Sequence, residues 1–144
     1  NIINLSKNVF RASAKDFMWT AFKEPALYIK DKGLISNFVV YNKRASNEYA
    51  HKKYLAYCVN NFPRPWEMRL YKERGSEFNG DMYALSILIQ WMFRSAIRRG
   101  EEIWIYVPSA RMRWLLEKWI ANLAEGKDLE EIIYKAKGKM TKDD

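Results

Sequence analysis

The chain has 144 residues, 49% hydrophobic and 15% aromatic, which excludes a disordered polypeptide and suits one domain with a sizeable core. Its net charge of +8 favours an anionic partner such as nucleic acid, although a basic protein without such a partner has the same charge. No apolar run approaches the ~18 residues of a membrane span, and a single histidine and a single cysteine leave no metal cluster and no internal disulfide. We therefore expect a cytoplasmic protein with no membrane partner.

The first half of the chain predicts a helix, a strand and a second helix. In "SAKDFMWTAFK", Ser13 and Asp16 have the spacing of a capping box at the start of a short helix. The run "SNFVVYN", residues 36–42, is rich in valine and aromatic residues, which is typical of a buried strand. Asn47 then caps a helix that we expect over residues 48–60, because four apolar residues recur there at helical spacing: Leu55, Cys58, Val59 and Phe62.

The second half predicts helices on both sides of a second strand. "WEMRLYKERG" is a short helix that closes at Gly75, and a long helix follows over residues 82–99. "EIWIYV", residues 102–107, is the second strand, and a helix with an apolar stripe extends from Ser109 to a final glycine. "DLEEIIYKAKGK" is the last helix, and residues 136–144 are a frayed basic tail. Strands separated by helical crossovers predict an α/β fold, with a small parallel sheet flanked by helices, in a single domain over residues 1–144.

The polar residues of the long helix form one row, since Ser86, Gln90, Arg94 and Arg98 recur every four residues. Arginines in a last helical turn complement the helix dipole, which is an ordinary explanation for Arg98 and Arg99. Arg94 lies more than a turn from the end. Two interpretations of it remain open. It forms an ion pair with a buried acid such as Glu48, Glu67 or Glu73, or its guanidinium binds an anion.

Two other stretches offer groups that bind phosphate. In "IYVPSARMR" a strand leads into a helix N-terminus, where Ser109, Arg111 and Arg113 are candidates. "YNKRASNEY" follows the first predicted strand, at the edge where open α/β sheets usually bind ligands. Its candidates are Lys43, Arg44, Ser46 and Asn47. The alternative for the second stretch is an ordinary basic loop with a helix cap.

Together these stretches resemble the second RecA-like domain of superfamily-two helicases, in the form found in phages and mobile elements. "NFVVYNKRASNEY" looks like the motif V region, "QWMFRSAIRRG" looks like motif VI, and "EIWIYVPS" looks like the strand after it. The resemblance covers residues 17–120. It departs at Phe93, which stands where the common motif VI has glycine, and at the spacing of the later arginines.

The resemblance implies a partial RecA-like domain within a larger helicase-like chain. Arg94 with Arg98 or Arg99 would act as arginine fingers on ATP, and Gln90 would contact the nucleotide. Arg44, Ser46 and Asn47 would couple the nucleotide to the bound strand, with DNA favoured over RNA. The chain has no G-x-x-x-x-G-K-[ST] loop, so we expect no cofactor in it and no ATPase activity from it alone. ATP and magnesium would belong to a Walker-motif ATPase domain in the same or another chain.

The competing interpretation is a non-enzymatic phage-type interaction or inhibitor protein, which binds a partner protein or nucleic acid through a basic, aromatic-rich surface. No nucleophile–base pair is evident, since His51 stands alone and Cys58 is of a type more often buried than reactive. The six tryptophans could stack on bases, although tryptophans in helices and strands more often form the core. Both functions therefore remain open at this point.

Overall fold

The structure is a computed structural model, and it describes residues 2–22, 32–42 and 46–126. The last predicted helix and the predicted tail at residues 136–144 lie outside the described residues, as do Lys43 and Arg44. The prediction of a single domain over residues 1–144 stays a prediction.

Three parallel strands form the sheet in the order β1-β2-β3: Phe17–Ala21, Tyr54–Cys58 and Trp104–Tyr106. An isolated parallel bridge joins Trp19 to Phe38 on the outer side of β1. The Trp19 N–H donates to the carbonyl of Asn37 at 3.1 Å, and the Val39 N–H donates to the carbonyl of Trp19 at 2.9 Å. The chain thus returns to the outer side of β1 before it crosses to β2, so a topological switch point lies between β1 and β2.

The described helices precede, separate and follow these strands along the chain. A short α1, Ile2–Asn4, continues as a π-helical turn over Leu5–Val9, and α2 is Lys32–Ser36. Helix α3 is Pro65–Glu73, α4 is Gly80–Met92, and a 3₁₀ turn follows over Ala96–Arg99. Helix α5, Ala110–Ala124, comes after β3. The predicted α/β class with a small parallel sheet and flanking helices is confirmed.

The described residues belong to two compact units. The first, residues 1–59 and 87–109, contains the sheet. On one face of that sheet, Phe17 and Trp19 pack with Leu5 and Leu34, and the Trp19 indole N–H donates to the carbonyl of Leu34 at 2.7 Å. On the other face, the Tyr57 ring lies 5.3 Å from the ring of Trp91. The strand β1 is buried along its whole length for this reason.

The second unit, residues 60–86 and 110–144, contains only helices in its described part: α3, the first residues of α4, and α5. Helices α3 and α5 lie where the sequence predicted helices. None of the described helices is long and apolar enough to span a membrane.

Two predicted helices are wrong, because Phe17–Ala21 and Tyr54–Cys58 are strands. The physical reason is shared. A parallel strand that is covered on both faces has no alternation of polar and apolar residues, and a short apolar run then fits a helical pattern equally well. The predicted strand over residues 36–42 is present only as the bridge at Phe38, because α2 extends through Ser36.

The predicted long helix over residues 82–99 ends earlier, at Met92. Ser95 is extended, with φ −83° and ψ −170°, and its hydroxyl donates to the carbonyl of Met92 at 2.6 Å. The Ala96 N–H leaves the helix and donates to the carbonyl of Lys52 at 2.9 Å, just before β2. The polar row predicted from Ser86 to Arg98 is therefore interrupted, since Arg94 lies in a turn and Arg98 in the 3₁₀ segment.

Candidate anion-binding site

Arg94 is buried in the turn after α4, with 7% of its surface exposed. Its Nη1 donates to the carbonyl of Val40 at 3.2 Å. The ion pairs found in the described part of the chain include Lys53–Glu101 and Arg111–Asp81, and none of those found there joins a carboxylate to Arg94. Burial lowers the pKa of the Arg94 guanidinium, and the neighbouring Tyr49 opposes that shift. An arginine stays protonated at neutral pH, so this site holds a largely desolvated positive charge.

Arg98 reaches the same stretch of chain from the 3₁₀ turn. Its Nη1 donates to the Asn47 side-chain oxygen at 2.6 Å, and the guanidinium is otherwise exposed. Gly100, with φ +73°, ends the turn in a left-handed conformation that favours glycine. Arg94 therefore bonds to Val40 and Arg98 bonds to Asn47, and both acceptors lie in the stretch that resembles motif V.

The other candidates near this turn are distributed differently. Ser46 is half-buried, and its hydroxyl accepts the Glu48 N–H at 3.3 Å. Gln90 is exposed on α4, and Arg99 is exposed in the 3₁₀ turn. The structure thus bonds Arg94 to Val40 and Arg98 to Asn47, whereas within the described residues it shows no bond from Gln90 or Arg99 to either acceptor.

The turn that carries Arg98 lies beside the amino ends of β2 and β3. Lys52, which accepts the Ala96 N–H, comes two residues before β2, and the Lys53 ammonium pairs with Glu101 at 3.1 Å before β3. Open α/β sheets usually bind ligands at the carboxyl ends of their strands. Arg98 and Asn47 therefore do not lie at the edge on which the sequence argument placed the loop.

The candidates at the start of α5 have a different environment. Ser109 is half-buried just before the helix, and Arg113 is exposed in its first turn. Arg111 is committed to acceptors of its own unit: the Asp81 carboxylate, the Asn60 side chain and the carbonyls of Asn61 and Gly80. Its guanidinium also lies 4.3 Å from the ring centre of Phe62. Because its guanidinium N–H donors are already bonded within the unit, Arg111 stabilises that unit and has no donor left for a phosphate.

Two buried hydroxyls were missed by the sequence argument. Thr20 and Tyr57 are register partners on β1 and β2, and neither side-chain oxygen has a hydrogen-bond partner among the described residues. Burial raises the pKa of Tyr57 strongly, with a smaller contribution from Tyr41. Their residue types are common in buried strands, so no sequence signal singles them out.

Lys52 is a third buried polar residue that the sequence argument did not select. Its ammonium donates to the Asn37 side-chain oxygen at 2.9 Å and to the carbonyl of Ala14 at 3.3 Å. Burial lowers its pKa, and Asp16 opposes that shift. The described residues hold no group of three or more His, Cys, Asp or Glu side chains suited to a metal ion. Burial also raises the pKa of the Cys58 thiol, which makes it a poor nucleophile.

Comparison with known proteins gives the family. Residues 1–120 match the family described as YonV C-terminal Rossmann-like domain. The chain is 43% identical over 122 residues to the SPbeta prophage-derived uncharacterized protein YonV of Bacillus subtilis (strain 168). The match covers 85% of this chain and 30% of that protein, so the chain spans less than a third of its relative. No solved structure matches. A match over most of the chain and the parallel sheet agree, and the chain belongs to the YonV C-terminal Rossmann-like domain family.

Proposed function

We propose that this domain acts on nucleic acid and that Arg94 and Arg98 are the side chains that bind phosphate. The observation that carries the proposal is the state of Arg94. Its guanidinium has five N–H donors, is buried, and has one acceptor among the described residues, the carbonyl of Val40. A buried cation without a paired anion is costly, and a phosphate oxygen would both neutralise it and accept its remaining N–H groups.

Arg98 supplies the accessible half of the proposed site. Its bond to Asn47 fixes the guanidinium beside the polar segment while leaving it exposed to a ligand. A held guanidinium loses less freedom on binding than a free one, which favours association. Ser46 and the basic residues Lys43, Arg44 and Arg99 would add contacts to the strand, in keeping with the net charge of +8.

The finer part of the proposal is a role like that of the second RecA-like domain of a helicase. Here Arg94 and Arg98 would complete a nucleotide site whose ATP, magnesium and phosphate loop belong to a partner ATPase domain, and Gln90 would contact the nucleotide. The relative is about three times as long as the matched region, since that region covers 30% of it, so a longer protein of this family has room for such a domain.

Single-stranded DNA binding measured over a series of salt concentrations tests the proposal. We expect the slope of log K against log[salt] to become less steep by about 0.7 for each of Arg94→Met and Arg98→Met, since each removes one phosphate contact. Lys118→Met is the matched control, because it removes the same charge from an exposed position on α5. The proposed site is wrong if the two arginine variants behave like Lys118→Met.

ATP hydrolysis tests the nucleotide part separately, in a longer chain that contains this domain. Arg94→Lys keeps the charge and loses the planar fork, so we expect it to lower hydrolysis while leaving DNA binding largely in place. Unchanged hydrolysis would remove the arginine-finger role and leave the phosphate contact to be judged by the salt series.

A further inference from the structure

Helix α3 exposes large apolar side chains that the other described residues of its unit leave uncovered. None of its nine residues is buried, even the large apolar ones: Trp66, Met68, Leu70 and Tyr71 are 58%, 50%, 37% and 43% exposed. A helix of this length is marginal by itself in water. Contiguous exposed apolar side chains mark surfaces at which proteins interact. The surface of α3 is therefore a candidate interaction surface, and this inference does not depend on Arg94 or Arg98.

One side of α3 forms a groove of about 530 Å³ with the segment that returns from it. The helix contributes Pro65, Met68, Arg69 and Lys72, and the returning segment contributes Ser76, Glu77 and Phe78. The helical positions follow the spacing i, i+3, i+4, i+7, so they share one face. This groove is called the α3 groove below.

The far wall of the α3 groove is fixed by aromatic packing within the same unit. The Phe78 ring lies 4.8 Å from the ring of Tyr71 and 5.4 Å from the ring of Tyr83. The Ser76 N–H donates to the carbonyl of Tyr71 at 3.0 Å, which holds the returning segment against the end of the helix. The groove is therefore formed before any partner binds, and binding to a formed surface costs less conformational entropy.

We propose that the α3 groove binds an acidic amphipathic helix of a partner protein. Met68 and Phe78 offer an apolar floor, and the flexible thioether of methionine adapts to varied side chains. The two cations Arg69 and Lys72 outnumber the single carboxylate of Glu77, so an acidic flank on the partner is complementary. The described elements of this unit are helices and offer no strand edge for an extended peptide, which favours a partner helix laid along the helical face.

A nucleic-acid strand fits the same surface less well. Base stacking needs a free aromatic face, and the ring of Phe78 is already packed against two other rings. Pro65 and Met68 are not aromatic and cannot stack on bases in its place. The α3 groove is thus chemically distinct from the proposed phosphate site at Arg94.

A displayed library of helical peptides of about 18 residues, selected on the 144-residue chain, tests this proposal. We expect the enriched peptides to carry apolar anchors at i, i+3 or i+4, and i+7 with Asp and Glu beside them. One selected peptide is then measured by fluorescence anisotropy. Met68→Glu should weaken it by about tenfold or more, whereas Leu123→Glu, an equally exposed change on α5, should leave it unchanged. Far-ultraviolet circular dichroism of both variants checks that they fold.

Charge reversal provides the sharper measurement. Lys72→Glu should weaken the acidic peptide, and a peptide in which the facing glutamates are replaced by lysine should recover affinity for that variant. The proposal is overturned if no helical peptide is enriched, or if Met68→Glu and Leu123→Glu bind the peptide equally. It is also overturned if Met68→Glu abolishes self-association of the chain, which would identify a second copy as the occupant, or if single-stranded oligothymidine displaces the peptide.

Discussion

Arg94 is buried and Arg111 is partly buried, but their guanidinium groups have opposite surroundings. The Nε and Nη2 of Arg111 donate to one carboxylate oxygen of Asp81 at 3.0 and 2.8 Å, and its Nη1 donates to Asn60 and Asn61 at 2.9 and 2.7 Å. Arg94 donates to one main-chain carbonyl and has no carboxylate partner among the described residues. Arg111 therefore stabilises its unit, whereas Arg94 has N–H donors that no described residue accepts.

The difference shows what a pattern of arginines can and cannot indicate. In the sequence, Arg111 stood at a helix N-terminus, a usual place for anion binding, and Arg94 stood on a helix where an internal ion pair was an equal expectation. The structure separates the two arginines by their acceptors, because those around Arg111 come from residues 60–81, which lie far away in the sequence. The number of hydrogen-bond acceptors around each guanidinium distinguishes the two arginines, and mutations can test what those bonds contribute to the free energy of unfolding.

The largest expected effect comes from Arg111→Met. It leaves the Asp81 carboxylate and three other acceptors without their donor, and removing one partner of a partly buried pair typically costs ~3 kcal/mol. Urea unfolding should show this loss in the free energy of unfolding, with Lys118→Met as the exposed control on the same helix. Arg111→Met combined with Asp81→Leu should recover part of it. A loss below ~1 kcal/mol would mean that the bonds around Arg111 contribute little.

Arg94→Met should behave in the opposite way. It removes a poorly compensated buried charge and a single hydrogen bond to Val40, so the two contributions offset and the free energy of unfolding should change by no more than ~1 kcal/mol. The same urea titration measures it beside Arg111→Met. A loss as large as that of Arg111→Met would break the comparison, because it would show that Arg94 has structural partners.

Tyr57→Phe extends the comparison from guanidinium groups to a hydroxyl. The Tyr57 oxygen is buried and has no hydrogen-bond partner in the described part of the chain, so removing it should raise the free energy of unfolding by ~1 kcal/mol. Thermal unfolding of the variant measures the change, and Tyr83→Phe, whose ring is only half-buried, is the control. If Tyr57→Phe lowers stability instead, a water or ligand accepts a hydrogen bond from the Tyr57 hydroxyl in solution.

Much of the second half of the fold was predictable from the sequence, because its signals are local. Helix α5 has an apolar stripe, and strand β3 has a compact apolar run, within their own residues. The strands β1 and β2 were taken for helices since their identity depends on long-range pairing, which buries both faces and removes any alternation. A capping-box spacing at Ser13 and Asp16 then favoured the wrong element.

The sequence could select candidate residues but not the bonds that they form. It selected Arg94, Arg98 and Asn47, whose binding role stays a prediction, and the structure bonds Arg94 to Val40 and Arg98 to Asn47. It could not show that α4 ends at Met92, because the end is imposed by the bond from the Ala96 N–H to Lys52, a residue more than 40 positions earlier in the chain. The same long-range dependence hides Thr20, Tyr57 and Lys52, which matter only through what surrounds them.

The charge of Lys52 is compensated better than that of Arg94 and less well than that of Arg111, because its buried ammonium has two acceptors. Its effect on stability is expected to be the smallest. Its pKa is lowered in the folded chain by burial, so between that lowered pKa and the ordinary value the unfolded chain binds more protons. The free energy of unfolding should therefore rise with pH across that window, and Lys52→Met should remove the rise. The raised pKa of Tyr57 acts in the opposite direction at higher pH, so urea titrations are compared in a Tyr57→Phe background. Equal slopes with and without Lys52 would show that its two acceptors compensate its burial fully, and would place it with Arg111 rather than with Arg94.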